Sequence, residues 1–256
     1  IIEEFGRLLR EKRERAQAEY FSRFPHAEDP LREAEELRRH LEALALVPAQ
    51  TEAKLKKEIA DLLENANLTP ALTRDLAHRY LESRQPGFKA GFWFSSGSKT
   101  KREKEERLQA FRDDLQKQIQ AHIDWHLQSL FRTFCEQWSL DGGAEAVTEP
   151  LSFRVTEDWL NGRVRSAVVI SGEYTLNFCK EIAEEIKTYY RKQTSVWIEG
   201  VKQTVAKRTE QEAAACRKRL DALLPALEAK ERLLKLEREE AEILSRMRSL
   251  FGGETV

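Results

Sequence analysis

Two stretches hold side chains whose types and spacing could do chemistry. Gly97, Ser98, Lys99 and Thr100 partly match the end of a phosphate loop, whose backbone N–H groups cradle a nucleotide and whose lysine directly follows a glycine. Here Ser98 separates Gly97 from Lys99, Gly91 lies one residue too far upstream, aromatics fill the loop and no buried strand precedes it. The pattern carries no nucleotide site. His122 and His126, in "HIDWH", stand at i and i+4 on one helix face, a spacing that can bind zinc. Ile123 stands where a metalloprotease has its glutamate and no third ligand is evident, so both read as packed or surface histidines. Cys135, Cys179 and Cys216 are too far apart for a zinc cluster or a disulfide framework. No Ser/His/Asp or Cys/His constellation assembles, and pairs such as Glu103–Arg107 read as solvated i,i+4 contacts. The expectation is no catalytic residue, no metal ligand and no cofactor in this chain.

Surfaces remain. Phe92, Trp93 and Phe94 stand in a row between Gly91 and Gly97, with Phe88 before them and Lys99, Lys101 and Arg102 after them. Aromatic plus basic is the composition of an interfacial membrane anchor, and equally of a loop whose rings plug a helical core. A second cluster, Leu151, Phe153, Trp159, Leu160, Val164, Val168, Val169 and Ile170, crowds a glycine-rich connection. The acid-free stretch 159–171 carries Arg163 and Arg165, which suits a lipid contact; the competing reading is a small self-contained core.

The elements that position these groups are helical. Charged residues make up 34% of the chain against 11 Gly and 7 Pro, too little punctuation for an all-β fold, while a 41% apolar fraction suffices for packed interfaces. A net charge of −1 points away from nucleic acid as partner. The cysteine usage suits a reducing, cytoplasmic setting. Apolar runs such as "AVVI" at 167–170 fall far short of the ~18 residues of a membrane span, and no signal peptide is seen. The chain opens "IIEEFGRLL", without methionine and already in helical pattern, which reads as a piece of something longer.

Apolar spacing predicts an amphipathic helix over 1–22, broken by Pro25 and Pro30, and a second over 31–65 interrupted at Pro48. A short helix to about residue 84 follows, with Thr69 as N-cap and Pro70 at its first position. From Lys99 to Trp138 and from Tyr174 to Leu224, apolar residues recur every three or four positions, giving helices on the order of 60 and 75 Å. Residues 139–173 between them read as the cap where a helical hairpin reverses, far larger than the ~2–8 residues reversal needs. After Pro225 a last helix, 226–250, complements residues 1–22 and is expected to pair with it.

"GFWFSSGSKTKREKEERLQAF" and "SGEYTLNFCKEIAEEIKTYYRK" resemble bacterial dynamin-like proteins, relatives of mitofusins, best over 86–130 and 171–192. Helices as long as these read as struts of an all-α, elongated antiparallel bundle with an irregular tip, and the resemblance implies its parts. Residues 1–24 and 226–256 would be neck helices, 25–138 and 174–225 a trunk, and 139–173 a paddle-like membrane-binding tip. Pro25, Pro30 and Pro225 would lie at the hinge. The membrane residues are then Leu151, Phe153, Trp159, Leu160, Arg163, Arg165, Val168, Val169 and Ile170, with Phe88, Phe92, Trp93, Phe94, Lys99, Lys101 and Arg102 a secondary membrane or packing loop. It also implies a GTPase domain, absent from this chain, to which GTP and magnesium would belong. The function implied is the membrane-binding, self-associating stalk of a membrane-remodelling GTPase, peripheral at the inner face of the cell membrane. Its partners would be a lipid surface, further copies and its own GTPase domain. The alternative is a spectrin-like helical spacer or scaffold with no lipid binding.

Overall fold

The computed structural model describes residues 2–26, 29–90, 96–138 and 151–251. Among them every regular element is a helix. The helices are α1 (Ile2–Arg23), α2 (Pro30–Asn65), α3 (Ala71–Ser83), α4 (Ser96–Ile119), α5 (Trp125–Trp138), the short α6 (Glu157–Asn161) and the 80-residue α7 (Gly172–Phe251). A π-helical turn, Gln120–Asp124, joins α4 to α5. The all-α helical bundle expected from composition is what forms. The chain divides into two compact units: unit 1 comprises residues 1–48 and 206–256, and unit 2 residues 49–205.

In unit 1, α1 and the start of α2 lie one after the other along the C-terminal half of α7, both antiparallel to it. Leu244 packs beside Gly6, Arg13 pairs with the buried Glu240 at 3.6 Å, and the Lys230 ammonium sits 5.5 Å from the Tyr20 ring. Further along, Glu33 pairs with Arg219 and His40 with Glu212, beside a core of Ala34, Leu223 and Leu227. The first and last helical stretches therefore do pair. Pro30 occupies the first position of α2, where its missing N–H costs nothing, and Asp29 caps that turn by accepting from Arg32 N at 3.2 Å.

Pro48 and Pro225 depart from expectation, because both lie inside continuous helices. Pro225 is exposed on the outer face, so the Asp221 carbonyl it leaves unpaired can take water, while buried Leu223, Ala226 and Leu227 hold the helix on either side. The helix break expected at Pro225 does not occur. α3 begins at Ala71, one residue beyond the expected start, and has no side-chain cap.

In unit 2 the last turns of α2 run antiparallel to α7, through Lys202–Glu52 at 2.7 Å and a Lys187 Nζ bond to the Glu64 carbonyl at 3.3 Å. α3 is antiparallel to α4, through Thr73–Asp114 at 2.5 Å and an Arg107 bond to the Arg79 carbonyl at 3.1 Å. The two long helices, expected to form an antiparallel hairpin, instead run in the same direction. Phe111 meets Phe178, Asp124 meets Tyr190 and Phe131 meets Trp197. A parallel pair needs a connection that travels back along the bundle. The helix from Tyr190 up to Gly172 alone rises roughly 27 Å, about eight extended residues, which a tight turn cannot span. This accounts for the length of the glycine-rich segment, whose described part, 151–171, is a strap laid against the bundle.

The π turn follows from the spacing on α4–α5. Buried Phe111, Leu115, Ile119, Ile123, Leu127 and Phe131 recur strictly every four residues. In a 3.6-residue helix each such step drifts about 40°, so the row would leave the core; one wider turn takes up part of the drift.

Candidate functional site

The strap is built into unit 2 by side chains that stand in for a neighbouring strand. Residues 152–156 form no helix, and Gln116 of α4 clamps them twice, its Nε2 donating to the Phe153 carbonyl at 3.0 Å and its Oε1 accepting from Val155 N at 2.9 Å. Phe153 N donates to Tyr190 Oη at 3.0 Å, and that hydroxyl donates to Asp124 at 2.5 Å. Ser152 donates to the other Asp124 oxygen at 2.8 Å. Burial pushes the Asp124 carboxyl above the usual aspartate range, and the two hydroxyl donors pull it partly back. α6 is capped by Thr156, whose Oγ1 accepts from Trp159 N at 3.2 Å.

The sequence-predicted membrane residues separate into two groups here. Leu151 is 8% exposed and Leu160 0%, with Tyr80 Oη donating to Asn161 next to it. Phe153 packs edge-on against Trp159 and Tyr189, and the Arg163 guanidinium lies 4.2 Å from the Trp159 ring while pairing bidentately with Glu185. That pair holds the Glu185 carboxyl below its usual range. These five residues pack the strap onto the bundle. Arg165, Val168, Val169 and Ile170 lie beyond them, where the strap reaches the start of α7. Arg165 is exposed, Val168 and Ile170 are half-buried, and Val169 is 87% exposed. Ala167 precedes them at φ 60, a left-handed conformation costing a non-glycine residue about 1–2 kcal/mol.

The segment that follows α3 meets the strap at this end of unit 2. Gln85, just after α3, donates to the Arg165 carbonyl at 3.2 Å and accepts from Val168 N at 3.2 Å. Phe88 is half-buried, with Arg107 4.9 Å and Lys104 6.0 Å from its ring centre. Thr100 Oγ1 accepts from Ala90 N at 3.1 Å, closing the loop onto the first turns of α4, which carry exposed Lys99, Lys101 and Arg102. Phe92, Trp93 and Phe94 lie outside the described residues, as do 139–150 of the expected tip. Of the hinge candidates, Pro25 lies in the turn after α1, Pro30 starts α2 and Pro225 is within α7.

Sequence reasoning missed Gln85, Gln116, Asp124 and Tyr190, the groups that dock the strap. Their signal was weak: Gln116 and Asp124 each immediately follow an apolar core position, and Tyr190 is the second of a tyrosine pair, with nothing local to mark an extended segment passing over them. His122 lies half-buried in the π turn and His126 is exposed at the start of α5. A groove of about 680 Å³ runs between the strap and α4–α5, lined by Gln116, Gln120, Asp124, Trp125, Gln128 and Arg154 among others.

No family model matches the chain, and no solved structure matches it. Among curated proteins, dynamin-like protein A of Bacillus subtilis strain 168 is 31% identical over 168 residues, 64% of this chain. The chain spans 14% of that protein's length, and over the matched stretch it is a relative of a bacterial dynamin-like protein, as its aromatic loop and return-helix motifs led one to expect.

Proposed function

We propose that this chain is the membrane-binding, self-associating helical stalk of a dynamin-like membrane-remodelling protein that serves fusion, tethering or repair. Its similarity to dynamin-like protein A carries this reading. No helix among the described residues is long and apolar enough to cross a membrane. The proposed contact is peripheral, at the inner face of the cell membrane. GTP and magnesium would be held by a GTPase domain outside this chain, for which the bundle is a lever, and neighbouring copies would pack side by side.

Vesicle co-sedimentation and sedimentation velocity test the reading together. The chain is expected to pellet with phosphatidylglycerol-containing vesicles and to form concentration-dependent oligomers. A monomer that stays in the supernatant with every vesicle composition is the spacer, and would end the proposal.

A further inference from the structure

We infer that the lipid contact of this chain is the end of unit 2 at which α3 finishes and α4 and α7 begin, and that it recognises the anionic headgroup layer of a bilayer. This rests on the membrane-binding reading above and says which surface performs it. The segment that follows α3 and the last stretch of the strap, some eighty positions apart in sequence, meet here through the two bonds that Gln85 makes to Arg165 and Val168.

Its chemistry is complementary to a lipid surface in two respects. Val169, 87% exposed, has the greatest exposure among the large apolar side chains described, and it projects between Val168 and Ile170. At the same end of the unit Lys89, Lys99, Lys101 and Arg165 are exposed and make no ion pair among the described residues. The nearby acids are mostly engaged: Glu82 and Glu103 pair with Arg107, and Glu106 with Arg102. Glu105 of α4 and Glu173 of α7 are the acids at this end without an ion pair among the described residues. The positive ends of two helix dipoles, α4 and α7, open here against the negative end of α3 alone. Unpaired cations around an exposed aliphatic point suit phosphate headgroups above an acyl layer. Nucleic acid would use the cations but leave the valine in water. The strap's aromatics are excluded as first contact, because Leu151, Phe153, Trp159 and Leu160 are committed to packing.

The test uses the whole chain with Cys216→Ser, since Cys135 and Cys179 are buried. A polarity-sensitive fluorophore is attached through Val169→Cys or, as a remote exposed control, Trp125→Cys. With vesicles containing phosphatidylglycerol, the label at 169 is expected to blue-shift and the label at 125 to stay unchanged. The shift should fade in vesicles of phosphatidylcholine alone and at high salt. Combining Lys99→Glu, Lys101→Glu and Arg165→Glu should weaken binding about a hundredfold at unchanged helicity. A chain that pellets with vesicles while the label at 169 stays silent, or while the triple variant binds as tightly as the parent, overturns this inference and leaves the membrane reading standing. A chain that pellets with no vesicle removes both.

Discussion

Tyr80 shows how single side chains hold unit 2 together. It is fully buried, stacks on Phe111 at 5.5 Å and donates its hydroxyl to Asn161 on the strap. Burial raises its pKa from 10.0 to about 12, against a smaller opposite pull from Arg84. The stability gained by keeping this phenol neutral is therefore complete below pH 10 and is lost as pH rises through about 12, because the unfolded chain ionises first. Tyr80→Phe should cost about 1 kcal/mol at neutral pH, since the exposed Asn161 regains water, and should flatten the decline above pH 10. Urea unfolding of both proteins from pH 7 to 12 checks this; parallel curves would mean another group sets the alkaline limit. Cys179, raised to about 11 by burial, adds a decline that both proteins share.

At the scale of elements, periodicity made the helices legible and hid what joins them. The rows from Leu108 to Phe134 and from Phe178 to Val205 announce two helices, but a row of apolar residues gives a face and carries no direction. Parallel and antiparallel pairings of Phe111 with the second helix present the same spacing, so periodicity does not separate them. The strap was legible as a composition change and illegible as a path, because Gln116 and Tyr190 dock it from far away in sequence. Within the candidate site, the basic and apolar residues were visible, whereas the convergence of two distant loops on Gln85 was not. Proline misled in the opposite way, since a helix break was read at Pro225 where flanking packing overrides the local penalty. Pro225→Ala restores an N–H for the Asp221 carbonyl in a helix that already continues through the site. It should stabilise the protein by about 1–3 kcal/mol, measured as a rise in the thermal midpoint. A fall would mean that the ring itself is needed there.

For the whole molecule, the contrast between a contiguous unit and a divided one matters most. Residues 49–205 form unit 2 from a single stretch of chain with a core of its own, including Leu63, Tyr80, Phe111, Ile123 and Tyr190. Expressed alone, that stretch should unfold in one cooperative transition, detectable as coincident fluorescence and circular dichroism curves. Non-coincident curves would show that it leans on the remaining helices. Unit 1 is assembled from two pieces, 1–48 and 206–256, with the whole of unit 2 between them in the chain. A ribosome adding about 5–20 residues per second therefore leaves the first piece waiting on the order of ten to thirty seconds for its partner. Throughout that interval α1 carries an uncovered apolar stripe around Tyr20, so this stretch of the growing chain is the one that most needs a chaperone to cover it.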